Sequence, residues 1–327
     1  MKAIVYKKYG SPAVLHIDEI DKPTPSSNEA LINVLASEVT KADCEMRSFR
    51  FPVKWFWLPL RVVLGLTKPK RQVLGSYFVG EVEETGNDYA KFKAGDKVFG
   101  TTNLRLGTHG EYVCVPDHYT LVTMPENMSY AEAAAVPLGG LNALHFLNRA
   151  KIKQEEKVLI NGAGGSIGIF AVQIAKAMGA NVTAVDSQPK EKMLRQIGAD
   201  HFIDYTKESF CTTGQQYDVI LNMVATTSYS GCIRVLKPNG RYLLANPKIS
   251  DMCRAVITSR TSNKSVIFAF AGEKEEELES LKTMIEAGKI TSVVDTVFAY
   301  EQAQEAHRKV ETEERLGAIV IAKDAVS

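Results

Sequence analysis

The sequence predicts an α/β protein in which a barrel-like antiparallel β domain accompanies a parallel, doubly wound sheet. Up to about residue 125, short β-like runs such as 30–35, 78–82 and 111–115 are separated by Gly, Pro, Asp and Asn, a pattern typical of antiparallel strands. After that point, short apolar runs alternate with helical patterns. Such an alternation predicts parallel strands that are joined by crossover helices.

The elements of the second part follow one another in a regular order. Strands are predicted at 158–160, 182–185, 201–203, 219–221, 242–244 and 266–268. The acid-rich run 273–277, Glu-Lys-Glu-Glu-Glu, then predicts the first turn of a helix, because carboxylates stabilise its positive N-terminal end. The apolar run 317–321 resembles the first part of the chain. We therefore expect the second domain to be inserted within the first, and 327 residues suggest about two domains.

Composition excludes several classes of function. Lys and Arg total 39 and Asp and Glu total 38, a net charge of +1, which argues against electrostatic binding to nucleic acid or to an anionic membrane. The apolar run 55–66 is too short to span a bilayer and contains Arg61. The five cysteines are odd in number and widely spaced, unlike a disulfide framework or a structural zinc site. We expect a cytoplasmic protein without a membrane span.

The most informative local motif is a glycine-rich turn between a buried strand and an amphipathic helix. Glycines let the backbone approach a pyrophosphate closely, and the helix N-terminus offers free N–H groups to it. The spacing departs from G-x-G-x-x-G, and a plain tight turn between strand and helix is the alternative. The predicted dinucleotide-binding residues of this motif are Gly162, Gly164, Gly165, Ser166, Ile167 and Gly168.

The residues after the next strand bear on the choice of dinucleotide. Asp186 lies 18 residues after Gly168, and an acid at about this distance typically accepts a hydrogen bond from the ribose 2′-OH of NAD. Lys190, Lys192 and Tyr205 follow it, and these are residue types that can hold a 2′-phosphate. Solvated loop residues are the alternative, so NAD and NADP both stay open at this point.

Motifs along essentially the whole chain resemble the medium-chain dehydrogenase/reductase superfamily, specifically its zinc-independent quinone oxidoreductase branch. They are the start 1–12, the runs 74–82, 92–100 and 133–138, the turn 162–168 with 170–176, and the run 197–205. The resemblance implies a GroES-like catalytic domain of residues 1–124 and 269–327. It implies a Rossmann dinucleotide-binding domain of residues 125–268, with the active-site cleft at the junction.

The same resemblance implies that zinc is absent. At the positions where zinc-dependent relatives carry a cysteine, a histidine and another cysteine, this chain carries Thr40, Ser76 and Leu138. Leucine cannot ligate a metal and hydroxyls are poor zinc ligands. Without a Lewis acid, the favoured acceptor is a small molecule that is already electrophilic, namely a quinone or an α,β-unsaturated carbonyl. NADP(H) is the family's default hydride donor, and NAD(H) is possible because of Asp186.

Three side chains are the candidate catalytic donors to the developing oxyanion: Thr40, Lys41 and Tyr77. In many relatives, an asparagine occupies the position of Thr40 and a threonine occupies the position of Asn142. Asn142 is predicted to contact the nicotinamide, and Val224, after the strand 219–221, is predicted to bind the cofactor. For Tyr77 and Lys41, packing and a surface charge are the respective alternatives.

The region 51–60 corresponds to a variable substrate loop in relatives. Phe51, Trp55 and Trp57 are predicted to line the substrate pocket. A helical core face, or a patch that faces a membrane or a partner, is the alternative. The apolar run 266–270 is a candidate edge strand for a homodimer.

Two other functions stay open, a 2-enoyl-thioester reductase and a non-catalytic dinucleotide-binding regulator.

Overall fold

The computed structural model describes residues 1–51, 57–245, 247–269 and 272–323, without the side chains of residues 57 and 58. The chain divides into two compact units. One comprises Met1–Pro137, Glu273–Glu286 and Ser292–Ser327, and the other comprises Leu138–Gly272 and Ala287–Thr291. Within the described residues, no helix is both long and apolar enough to cross a membrane.

The strands are β1 (Lys2–Val5), β2 (His16–Glu19), β3 (Glu29–Val39), β4 (Tyr77–Thr85), β5 (Lys97–Thr101), β6 (Tyr112–Pro116), β7 (Leu121–Thr123), β8 (Lys157–Asn161), β9 (Asn181–Asp186), β10 (His201–Asp204), β11 (Tyr217–Asn222), β12 (Leu236–Leu244), β13 (Ser265–Phe268), β14 (Val294–Phe298) and β15 (Ala318–Ala322). The helices are α1 (Lys41–Ser48), α2 (Trp57–Leu64), α3 (Tyr130–Ala134), α4 (Val136–Ala150), α5 (Ser166–Ala177), α6 (Glu191–Gln196), α7 (Tyr229–Arg234), α8 (Ile249–Thr261), α9 (Glu275–Glu286) and α10 (Ala303–Glu311).

The first unit is built on a mostly antiparallel sheet in the order β14-β15-β3-β4-β5-β7, in which β6 also pairs with β3. The long strand β3 lies at its centre and is buried over most of its length. Apolar side chains such as Ile32, Phe78 and Val98 form one core of this unit. One pair departs from the antiparallel prediction: β14 and β15 are parallel, because the chain crosses over through α10 between them.

The second unit contains a six-stranded, entirely parallel sheet in the order β10-β9-β8-β11-β12-β13. Renumbered from β8, this order is 3-2-1-4-5-6, the doubly wound order of dinucleotide-binding folds. The central strands are continuous apolar runs that are buried on both faces, as parallel strands require. The predicted α/β class and the six predicted strands of this sheet are confirmed.

Candidate functional site

The glycine-rich turn connects β8 to α5 as the sequence predicts. The N–H groups of Gly162 and Ala163 both donate to the carbonyl oxygen of Val185, each at 3.1 Å, which ties the turn to the end of β9. Gly162 has φ = +86°, a conformation that glycine adopts without strain. Gly165 is the N-cap of α5 and has no side chain to accept from the first-turn N–H groups. The N–H groups in the first turn of α5 are therefore suited to hold a pyrophosphate.

Gly168 permits the close approach of α5 to this turn. A Cβ atom at Gly168 would lie 2.3 Å from the carbonyl oxygen of Gly162 and 2.5 Å from that of Ala163. Both obstacles are backbone atoms, so no side-chain rotation relieves the overlap. The cradle for the cofactor thus depends on the absence of a side chain at this position.

Asp186 and Lys190 form a buried ion pair directly against the turn. The carboxylate of Asp186 accepts from the N–H groups of Gly164 at 2.7 Å and Ser187 at 2.8 Å. The Nζ atom of Lys190 lies 3.4 Å from Oδ1 of Asp186, and each side chain is 8% exposed. A Cβ atom at Gly164 would lie 2.3 Å from Cδ of Lys190. Asp186 and Lys190, the respective candidates for contacting a ribose 2′-hydroxyl and a 2′-phosphate, are therefore paired with each other.

Two other predicted cofactor residues also lie near the turn or near Asp186. Tyr205 is 61% exposed, and its N–H group donates to the carbonyl oxygen of Asp186 at 3.2 Å. A Cβ atom at Gly162 would lie 3.3 Å from Cγ2 of Val224. Asn142 is buried in α4, where its Nδ2 atom donates to the carbonyl oxygen of Leu138 at 2.9 Å. The structure does not test the nicotinamide contact predicted for Asn142.

Sequence reasoning missed an asparagine pair at the carboxyl ends of β8 and β11. Nδ2 of Asn161 donates to Oδ1 of Asn222 and to Oγ1 of Thr227, both at 2.8 Å. Asn222 donates in turn to Val224 and to the hydroxyl of Tyr242. The pair lies where the strand order reverses, which is where ligands bind in open α/β sheets. A signal was present, because both strands are apolar runs that end in asparagine, Leu-Ile-Asn and Ile-Leu-Asn.

In the first unit, Thr40 and Lys41 open helix α1. Thr40 is the N-cap of a capping box with Asp43, and its Oγ1 atom donates to the carboxylate of Asp43 at 2.6 Å. Asp43 also accepts from the N–H group of Gly75 at 3.0 Å. Lys41 is 59% exposed and pairs with Glu313. The hydroxyl of Thr40 therefore serves the helix end, and the charge of Lys41 has a surface partner.

Tyr77 lies at the start of β4 and donates from its hydroxyl to Oε1 of Glu273 at 3.0 Å. Thr101 donates to Oε2 of the same carboxylate at 3.3 Å. Burial raises the pKa of Tyr77 well above its usual value, and the negative charge of Glu273 raises it further. Burial also raises the pKa of Glu273, although the two hydroxyl donors oppose that rise. The sequence predicts Glu273 only as part of a helix start, whereas the helix α9 begins at Glu275.

The predicted substrate-loop residues are only partly described. The ring of Phe51 packs edge-to-face against Phe49, with centroids 5.2 Å apart, at the border of the core of the first unit. Trp55 lies outside the described residues. Trp57 begins α2, but its side chain is outside the description. The proposed pocket wall therefore stays a prediction.

The positions that hold catalytic zinc in relatives do not offer a zinc donor set. Thr40 is committed to Asp43, Ser76 donates to the carbonyl oxygen of Asn103 at 2.9 Å, and Leu138 has no donor atom. Across the described ranges, no group of three or more His, Cys, Asp or Glu side chains is arranged to hold a metal ion. The residues present therefore do not fit a catalytic zinc.

The strand order and the glycine turn together define a dinucleotide-binding α/β protein with an additional β domain. Residues 26–126 match the alcohol dehydrogenase GroES-like domain family, residues 197–321 match the zinc-binding dehydrogenase family, and residues 132–231 match the alanine dehydrogenase/PNT C-terminal domain family.

Individual relatives agree with this class over nearly the whole chain. The quinone oxidoreductase of Sus scrofa is 31% identical over 95% of this chain and 94% of its own. An NADPH-dependent alkenal/one oxidoreductase of Arabidopsis thaliana is 28% identical over 98% of this chain and 79% of its own. The structure of the quinone oxidoreductase from Coxiella burnetii superposes with a TM-score of 0.88 at 28% identity, over 99% of both chains. The chain belongs to the medium-chain dehydrogenase/reductase superfamily and is an NAD(P)H-dependent oxidoreductase, which confirms the resemblance of its motifs.

Proposed function

We propose that the protein transfers a hydride from NAD(P)H to a quinone or an α,β-unsaturated carbonyl without zinc. The proposal is supported by two features of the same chain. The glycine turn 162–168 is suited to a pyrophosphate, and the positions of the zinc ligands carry two hydroxyls and a leucine. Relatives named quinone oxidoreductase and alkenal/one oxidoreductase support the same acceptor class.

The chemistry divides between the cofactor and the chain. The bound cofactor supplies the hydride. The N-terminus of α5 and the turn before it bind the pyrophosphate, and the asparagine pair Asn161–Asn222 holds the neighbouring segment 223–227 in place. Because positions 40, 76 and 138 carry two hydroxyls and a leucine rather than a zinc donor set, the acceptor must already be activated by conjugation. A hydrogen-bond or proton donor must then stabilise or protonate the oxygen that becomes negative.

We also propose that the Asp186–Lys190 pair favours NADH over NADPH. A dianionic 2′-phosphate would be repelled by the Asp186 carboxylate, and the nearest ammonium, Lys190, is already paired with it. A 2′-hydroxyl would instead find a carboxylate acceptor. We expect Asp186→Asn, which keeps an acceptor for Gly164, to raise the NADPH/NADH ratio of kcat/KM at least about tenfold, or about 1.4 kcal/mol. A wild-type preference for NADPH, the family default, would contradict this assignment.

The activity itself is tested by following oxidation of NADH and NADPH with an ortho-quinone and with a medium-chain enone. Assays contain chelator throughout, and a simple saturated ketone serves as the control acceptor. We expect turnover of the conjugated acceptors only. Tight cofactor binding without turnover of any acceptor would refute the proposed reaction and favour the non-catalytic regulator.

Assembly and organisation follow as further proposals. We propose a homodimer that pairs β13, an edge strand of the parallel sheet, with its copy. A monomer in size-exclusion chromatography with light scattering would contradict this.

We also propose that residues 1–124 and 269–327 form the catalytic domain and that residues 125–268 form the cofactor domain. The cytoplasmic location stays a prediction.

A further inference from the structure

Glu273 is a half-buried acid just before α9, outside the cofactor turn. Three hydroxyl groups converge on it. Its side chain accepts from Tyr77 at 3.0 Å and from Thr101 at 3.3 Å, and its carbonyl oxygen accepts from Thr120 at 2.5 Å. These donors come from the start of β4, the end of β5 and the residue before β7. Glu273 is therefore held at a fixed place beside the Tyr77 hydroxyl.

The charges around this pair determine where its protons lie. The groups that act on the Tyr77 hydroxyl are acidic, namely Glu273, Glu38 and Asp43, and they add to burial in raising the pKa of Tyr77. Burial raises the pKa of Glu273 as well. The phenol and the carboxyl group share one hydrogen bond, and each holds its proton more strongly than the free side chain does. When Glu273 is protonated, its proton can replace one that leaves Tyr77 across this hydrogen bond.

The other candidate donors lack such a reserve. Thr40 is 3% exposed, and its hydroxyl is bonded to Asp43, whose two oxygens also accept backbone N–H groups. Lys41 is on the surface in an ion pair with Glu313. An aliphatic hydroxyl is also a far weaker acid than a phenol. Tyr77 is therefore the candidate whose chemistry and partner both suit proton delivery.

We propose that Tyr77 and Glu273 form a proton-delivery pair for the acceptor, with Glu273 as the positioning residue that recharges Tyr77. This inference rests on the proposed function. A hydride, which bound NAD(P)H would supply on its oxidation to NAD(P)⁺, adds to the acceptor carbon, and the electron pair of the conjugated system moves to the carbonyl oxygen. The Tyr77 O–H bond breaks and its proton goes to that oxygen, while the carboxyl proton of Glu273 moves to the Tyr77 oxygen. The Glu273 carboxylate then takes a proton from water, so the acceptor gains one hydride and one proton.

A dependence on pH follows from this arrangement. When Glu273 loses its proton, the Tyr77 proton is held by a carboxylate and has no replacement. Since the pKa of Glu273 is raised, kcat should stay high below that pKa and fall as the pH rises through it. We call this decrease of kcat with rising pH the alkaline limb. If Glu273 had only a structural role, the pH profile of kcat would lack the alkaline limb.

The experiment compares Tyr77→Phe, Glu273→Gln and Glu273→Asp with the wild type, measuring kcat and KM for an enone across pH. We expect Tyr77→Phe and Glu273→Gln each to lower kcat at least tenfold with KM within about twofold, and to abolish the alkaline limb. Glu273→Asp should retain the limb. Glu275→Gln, which removes a carboxylate of α9 paired with Lys91, is the matched control and should leave kcat unchanged.

The outcomes separate the two levels of the proposal. An active wild type whose kcat and alkaline limb survive in Tyr77→Phe and Glu273→Gln would overturn the proton-delivery pair alone. A wild type that turns over no conjugated acceptor would overturn the proposed function. If Glu273→Gln fails to fold, Tyr77→Phe decides the matter, because it removes only the hydroxyl.

Discussion

The close contact between α5 and the glycine turn predicts a large difference between two glycine-to-alanine variants only three residues apart. At Gly168, an added Cβ would meet backbone carbonyl oxygens at 2.3 and 2.5 Å. At Gly165 the nearest atom would be 3.6 Å away, and φ = −87° with ψ = 169° suits alanine. The two variants therefore make the same chemical change with different steric consequences.

The contact distances determine how much each variant should change the free energy of unfolding. Because carbon atoms pack at about 3.5–4.0 Å, α5 or the turn must move by about 1 Å to accept alanine at Gly168. Such overpacking costs about 1–3 kcal/mol, and the better helix propensity of alanine returns at most about 1 kcal/mol. We expect Gly168→Ala to lower the free energy of unfolding by about 1–2 kcal/mol. For Gly165→Ala, reduced unfolded-state entropy and the poorer N-cap nearly cancel, within about 0.5 kcal/mol.

Urea unfolding followed by circular dichroism measures both variants against the wild type. Stability is compared because both positions belong to the predicted phosphate-binding turn. Affinity for NADH, measured by fluorescence titration, should also fall in Gly168→Ala as the turn is displaced. A Gly168→Ala protein as stable as Gly165→Ala would refute the steric argument.

Two further predictions concern buried charge. Burial raises the pKa of Glu45 to about 7 from the usual 4.5, so the stability that its protonated form contributes is full below about pH 4.5 and is lost as the pH rises through 7. Glu45→Gln should therefore match the wild type at pH 4 and exceed it at pH 8, by at most about 3 kcal/mol in urea unfolding; equal stability at pH 8 would contradict this. Arg47 is fully buried and pairs with Glu311, so Glu311→Gln should cost up to about 3 kcal/mol. Asp18→Asn, which breaks the exposed pair with Lys7, should cost much less, because solvent screens an exposed pair. Equal thermal shifts for the last two variants would show that burial of Arg47 does not set the cost.

Much of the fold was predictable because it depends on local patterns. The strand β8, the turn and helix α5 are adjacent in sequence, and glycine at Gly168 is dictated by a contact with residues only five and six positions earlier. Asp186 was placed at the end of β9 by the same local logic. The parallel pairing of β14 with β15 was missed because it depends on the crossover through α10.

The polar partnerships of the site could not be predicted in this way. Tyr77 and Glu273 are 196 residues apart in sequence, and nothing near either residue indicates the other. The bond between Asn161 and Asn222 depends on which strands become neighbours and in which register. The pairing of Lys190 with Asp186 was likewise hidden, although both residues were already candidates. Residue types were thus predictable, while their partners required the fold.

The most direct test of the central claim is oxidation of reduced nicotinamide by the purified wild-type protein with a conjugated enone, in the presence of chelator. The account predicts turnover that is unaffected by the chelator, absent with a saturated ketone and faster with NADH than with NADPH. Activity that disappears with chelator and returns with zinc would contradict it, because the side chains at positions 40, 76 and 138 offer no zinc donor set.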